Sequence, residues 1–139
     1  MVKRARLGNR KSSTYCFCVF SSFRHNYFFG VVMKSRRSKA TDISQKVKKI
    51  VWERDGGRCV VCGNSYNVMP NAHYVSRANG GLGVEENIVT LCTELTQNQC
   101  HRKYDFGTKT EREVIGQQIE TYLKSKYPNW DKSKLVYKK

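Results

Sequence analysis

The sequence predicts a small α+β domain built around a metal. Three observations point there. Apolar residues recur at helical spacing beside capping residues, once before residue 58 and again after residue 108. Between these segments the chain offers only short apolar stretches broken by Gly, Asn and Pro. Within that weakly patterned middle stand four cysteines at metal-ligand spacing. At 139 residues the chain has the length of one ordinary domain. Hydrophobic residues make up 39% and charged residues 27%, enough apolar material for a small core and too much for a wholly disordered chain. The 26 Lys and Arg against 11 Asp and Glu give a formal charge of +15. Such a charge favours a polyanionic partner, nucleic acid or an anionic membrane surface, and disfavours a cationic ligand.

Residues 1–32 are a basic and aromatic extension of a different character. Lys3, Arg4, Arg6, Arg10, Lys11 and Arg24 are joined by no acid, and the aromatic run from Tyr15 to Phe29 has no amphipathic period. Arg24, His25 and Asn26 interrupt the run, against both a signal peptide and a membrane span, which needs about 18 uncharged apolar residues. Met33 opens a hydrophilic stretch typical of a protein start, so the expectation is that residues 1–32 are upstream sequence from a misassigned start, with Cys16 and Cys18 carrying no role. Without them the remainder, 33–139, still carries +9.

Further along, Thr41 or Asp42 is expected to cap a first helix whose face is Ile43, Val47, Ile50 and Val51, with Lys46, Lys48 and Lys49 in solvent and Gly56–Gly57 as its stop. Residues 58–95 read as irregular strands and turns: 59–63, then 72–76, a glycine loop at 77–83, then 87–92. A second helix is expected from about Gln97. Thr110 with Glu113 predicts a capping box for a third, striped by Val114, Ile115, Ile119, Tyr122 and Leu123 and ended by Pro128. The aromatic tail of Tyr127, Trp130 and Tyr137 is expected to cover that stripe and not to stack on bases.

Cys59 and Cys62 form a C-x2-C followed by Gly63, a tight turn that aims two sulfurs at one point. Cys92 and Cys100 are the natural second pair, and four sulfurs in a tetrahedron suit structural Zn²⁺. Their wider C-x7-C spacing leaves open the alternative that two of the four are ordinary buried cysteines.

Taken in order, the RDGGRC lead-in at 54–59, the C-x2-C-G, His73 before two apolar-leaning residues, the Gly80–Gly81 loop, the ENIVTLC block at 86–92 and the Cys100–His101 pair resemble the HNH endonuclease family. The likeness is to its small zinc-containing members from phages and mobile elements, over about residues 47–105. The resemblance implies a ββα-metal (His-Me finger) core at about 47–107, with a C-terminal helix and tail at 110–139. It implies hydrolysis of DNA phosphodiester bonds with a catalytic Mg²⁺, Mn²⁺ or similar ion. By the same likeness His73 is the general base, Asn87 the central asparagine that orients the base loop or helps hold the metal, and His101 a metal ligand. DNA is the implied partner, phage packaging proteins are candidate company, no membrane is involved, and the setting is the cytoplasm, that of a bacterial host if the chain is phage-encoded.

Two positions depart from the family pattern. Ala72 stands where a His or Asp ligand is usual, and Asp105 replaces the final His of the common ending. His101 and Asp105 at i and i+4 share a helix face, so Asp105 is expected to serve as the second ligand. Arg77, beside the glycine loop, is expected to touch DNA phosphate. Two rivals fit the same residues: a noncatalytic zinc-binding DNA module or inactive HNH fold, and, more distantly, a secreted disulfide-bonded basic protein.

Overall fold

The computed structural model describes residues 33–139. The expectations for residues 1–32, Cys16 and Cys18 included, lie outside the described residues. The architecture is α+β: α1 (Arg36–Thr41), α2 (Gln45–Arg54), β1 (Val68–His73), β2 (Ile88–Cys92), α3 (Cys100–Phe106) and α4 (Lys109–Lys126). β1 and β2 form a two-stranded antiparallel sheet, pairing Val68 with Cys92, Met69 with Leu91, Pro70 with Thr90, Ala72 with Val89 and His73 with Ile88. The register slips between Pro70 and Ala72, leaving Asn71 as an extra residue in β1. Pro70 has no N–H to give to a ladder, and a bulge beside it is the usual accommodation.

Four sequence expectations shift when set against this chain. α2 is capped by Ser44, whose hydroxyl accepts from the Val47 amide, so Thr41, Asp42 and Ile43 lie outside it and the first two end the separate helix α1. The first strand lies at 68–73, earlier than expected, and residues 59–63 form a turn. The capping box of α4 is Thr108 with Glu111, two residues before the expected pair. The run Thr-Lys-Thr-Glu-Arg-Glu satisfies the box pattern twice, and the earlier box adds residues to the helix while leaving the same apolar stripe inward. α3 begins at Cys100, three residues after the expected start.

The core lies between the sheet and α4. Ile115, Ile119 and Leu123 pack with Val68, Ala72, Val89 and Leu91, while Val114 stays half exposed. Tyr127 and Trp130 pack against this cluster as expected of the tail; Trp130 meets Tyr74 edge-on at 5.4 Å between ring centres and donates its indole N–H to the Glu86 carbonyl. Tyr137 instead joins the glycine loop, its amide donating to Gly80 O at 2.9 Å.

A buried polar knot ties these layers together. The Asp55 side chain, fully buried, accepts from Arg54 Nε, from the Tyr122 hydroxyl and from the Thr90 amide, each at 2.7 Å. Arg54 gives three more donors to the Glu85 and Ile88 carbonyls and to the Tyr127 hydroxyl. A buried ion pair is costly unless its spare donors and acceptors are met, and here α2, β2 and α4 all supply partners. No helix among the described residues is long and apolar enough to cross a membrane.

Candidate functional site

The four cysteines come together. Cys59, Cys92 and Cys100 are buried and Cys62 is exposed at the rim, all four are free thiols, and their Sγ atoms lie within 4.8 Å of one another. Cys62 and Cys92 are 3.8 Å apart. Ligands at about 2.3 Å from one zinc ion stand roughly 3.8 Å from each other in a tetrahedron, so the spacing is that of co-ligands and far beyond a disulfide bond. The turn is set by Gly63, whose φ of +72° is costly for other residues, and by a pair of backbone bonds, Gly63 N–H to Cys59 O and Cys59 N–H to Asn64 O, each 2.8 Å. Val60 N–H to Thr90 O then fastens the turn to β2, which carries Cys92 at its end.

Charge on the sulfurs is unevenly shared. A hydrogen bond from the Cys100 thiol, then backbone amides of Cys62, Val61 and Cys92, bring the Cys59 thiol down to about 4, while the same Cys59 contact pushes Cys100 up and burial pushes Cys62 up. One thiolate forms readily and its neighbours then resist ionising. A dication suits such a group, because it replaces the protons on all four sulfurs at once. The four cysteines can therefore hold a metal ion such as zinc.

His73 ends β1 and is half buried. Its Nε2 lies 3.1 Å from the carbonyl oxygen of Thr41. A carbonyl only accepts, so Nε2 carries the proton and Nδ1 keeps its lone pair in the neutral ring. Burial holds the imidazole below its ordinary value, outweighing the Thr41 bond that favours the charged form. The ring opens onto a cleft of about 470 Å³ whose wall includes Tyr104 and Asp105 of α3, Lys109 and Arg112 of α4, and Lys132.

Of the residues that hold Thr41 in place, only Arg77 is a functional candidate by sequence. The segment from Lys34 to Asp42 lies along the loop at 76–83: Arg37 donates to Ala78 O at 2.7 Å, Gly83 N–H to Ala40 O at 2.9 Å, and Asp42 pairs with both Lys34 and Arg77. Arg77, expected on phosphate, is thus engaged by Asp42 with its side chain still 56% exposed. The sequence predicts a helix cap at Thr41 or Asp42; what Thr41 gives the site is a backbone carbonyl, for which no side-chain signal exists.

Asn87 is completely buried and both atoms of its side-chain amide are hydrogen-bonded. Oδ1 accepts from Val75 N at 2.8 Å; Nδ2 donates to Val75 O at 3.2 Å and to Leu82 O at 2.7 Å. Its own carbonyl accepts from the Tyr74 amide at 2.8 Å. Asn87 therefore clamps the two residues after His73 to the far side of the glycine loop, with both of its polar side-chain atoms hydrogen-bonded to backbone. Gly81 makes the clamp possible, since a Cβ there would stand 1.7 Å from Val75 O.

His101 and Asp105 face each other one turn apart on α3, Nε2 to Oδ2 3.3 Å. That is close to the roughly 3 Å between neighbouring ligands on an octahedral ion with bonds of about 2.1 Å. Asp105 also lines the cleft of His73, and His101 lies with it in an adjoining one. Ala72 is fully buried in the core and offers no ligand. Among the described residues the four cysteines form the only group of three or more His, Cys, Asp or Glu side chains gathered closely enough for one ion. His73, His101 and Asp105 share a neighbourhood without forming such a group. Comparison with protein-family models, curated proteins and solved structures finds no match for the chain.

Proposed function

We propose that the chain is a metal-dependent DNA endonuclease of the HNH type, stabilised by zinc on Cys59, Cys62, Cys92 and Cys100 in a His-Me finger core. The observation that carries the reading is His73: a half-buried imidazole whose Nε2 is committed to the Thr41 carbonyl, leaving Nδ1 free to accept a proton, in the wall of a cleft that also holds Lys109, Arg112 and Lys132 beside Asp105 and Glu113. A base must be unprotonated at working pH and aimed into the substrate's space, and burial with a fixed tautomer favours both.

In this reading a DNA strand lies in the cleft with its phosphate against Lys109, Arg112 and Lys132. His73 Nδ1 takes a proton from water as the oxygen attacks phosphorus, and the opposite P–O bond breaks, its electron pair leaving with the sugar oxygen. A divalent ion on His101 and Asp105 would supply positive charge at the phosphate and the leaving oxygen. Asn87 keeps the His73 loop rigid and touches no substrate.

The noncatalytic zinc-binding DNA module remains the second reading, favoured by the burial of Ala72 and by the two-residue ligand set on α3. Supercoiled plasmid incubated with the purified protein and Mg²⁺, Mn²⁺, Ni²⁺ or Zn²⁺ separates the two. Nicking that depends on the added ion, and that needs more of it in Asp105→Ala, supports the nuclease. Retarded but uncut DNA with every ion supports the binding module.

A further inference from the structure

Beside the His101–Asp105 pair, α3 carries a second pair at the same spacing, Arg102 and Phe106. Phe106 is 84% exposed, more than any other large apolar side chain between Lys34 and Lys139. Its backbone is firmly held. The Gly107 amide returns to Lys103 O at 2.9 Å, a Cβ at Gly107 would stand 2.3 Å from that oxygen, and the next residue, Thr108, opens the capping box of α4. A phenyl ring is therefore presented to solvent from a rigid turn, although burying it would be favourable. It borders a cleft of about 510 Å³ formed with Thr93, Glu94, His101, Arg102 and Asp105, within the size range of small-ligand sites. Asp105 stands in the walls of both this cleft and that of His73.

We propose that Phe106 and Arg102 form a stacking subsite for an unpaired nucleobase next to the scissile phosphate, so that the protein engages single-stranded or locally opened DNA in preference to intact duplex. The inference rests on the nuclease reading and names the form of substrate its site takes. Three features favour a nucleobase as the occupant. Residues 33–139 bear +9, suited to a polyanion. The guanidinium of Arg102 lies one turn from the ring, where it can meet the phosphate or the face of a base. The ring also shares its cleft with His101 and Asp105, the pair placed on the ion at the phosphate. Bases in a duplex already stack on their neighbours, so a lone exposed ring gains a partner only where a base has left its stack.

The test uses binding without cleavage. Fluorescent oligonucleotides, one single-stranded, one with a central unpaired loop and one fully paired, are titrated with the full chain in chelator-free buffer lacking added Mg²⁺ or Mn²⁺, so that the zinc stays in place. Phe106→Ala is expected to lose about tenfold in affinity for the single-stranded and looped DNAs, and less than twofold for the duplex. Phe106→Trp is expected to keep the affinity and to show indole emission quenched by the single strand. Because the ring is exposed, both variants should keep the wild-type circular dichroism and melting temperature. Equal affinities for all three DNAs in wild type and Phe106→Ala overturn the stacking subsite while leaving a nuclease intact. Absence of binding to any DNA form overturns the nuclease reading, and this inference with it.

Discussion

The cysteine cluster and the His73 cleft are two ends of one small sheet, and they are built in opposite ways. At the cysteines, four donors of one kind converge within 4.8 Å, three of them buried, with the turn between Cys59 and Gly63 bonded to itself and to β2. At His73 the polar groups are of different kinds, come from β1, α3 and α4, and face a cleft open to solvent. A closed set of identical ligands serves to fold a chain, whereas an open and mixed set leaves room for water and substrate. The same contrast governs what substitution should do at each end.

The largest effect is expected at the closed end. Cys59→Ser removes one sulfur from a site able to hold zinc, an ion that supplies about 10–16 kcal/mol of folding free energy in small zinc-finger peptides, and with zinc there the loss should be several kcal/mol. Thermal unfolding of Cys59→Ser, with zinc content by mass spectrometry under native conditions, checks this; an unchanged melting temperature would remove the cysteines from the account of stability. Next comes Asn87→Ala, which lies toward the open end and yet belongs to the framework. It strips three buried hydrogen bonds and leaves the Val75 and Leu82 backbone groups unmet, a cost of about 3 kcal/mol. Asn87→Asp keeps the acceptor for Val75 N but turns the two donor positions toward carbonyl oxygens, and chemical denaturation should find it no better than alanine.

A smaller and pH-dependent effect is expected from His73 itself. Burial favours the neutral ring in the fold, so below the ordinary value of 6.5 the unfolded chain takes up a proton that the folded chain resists. Stability should accordingly fall as pH drops from 6.5 toward the lower value of the folded state, and hold level above it. His73→Gln should flatten that part of the profile. If the nuclease reading holds, cleavage should rise with pH across the same window, because the neutral ring is the base.

The difference between the two ends also explains how far each was legible in the sequence. Cysteines are few and their chemistry is narrow, so C-x2-C-G with Cys92 and Cys100 points to a metal site, and the fold brings the four sulfurs within 4.8 Å of one another. The helical stripe of α4 was equally plain, because Ile115, Ile119 and Leu123 repeat at the period a buried face requires. Capping was less plain: Ser44, Thr41 and Asp42 are all good caps, and tertiary packing of the segment before α2 decides among them. The Asp55 knot was invisible, since an Arg–Asp pair at a helix end usually faces solvent and only its contacts with Tyr122, Tyr127 and Thr90 make it interior. Around His73 the decisive partner is a main-chain oxygen, and a carbonyl leaves no trace in residue identity.

The central claim is that the cysteine end builds the domain while His73 performs chemistry on DNA. Its most direct test is His73→Ala, measured on one preparation for melting temperature at pH 7.5, zinc content and ion-dependent nicking of supercoiled plasmid. The account predicts a melting temperature shifted by no more than a few degrees, corresponding to about 1 kcal/mol or less, one zinc retained per chain, and nicking reduced at least a hundredfold. Nicking at the wild-type rate would contradict the claim, as would a collapse of stability together with loss of zinc.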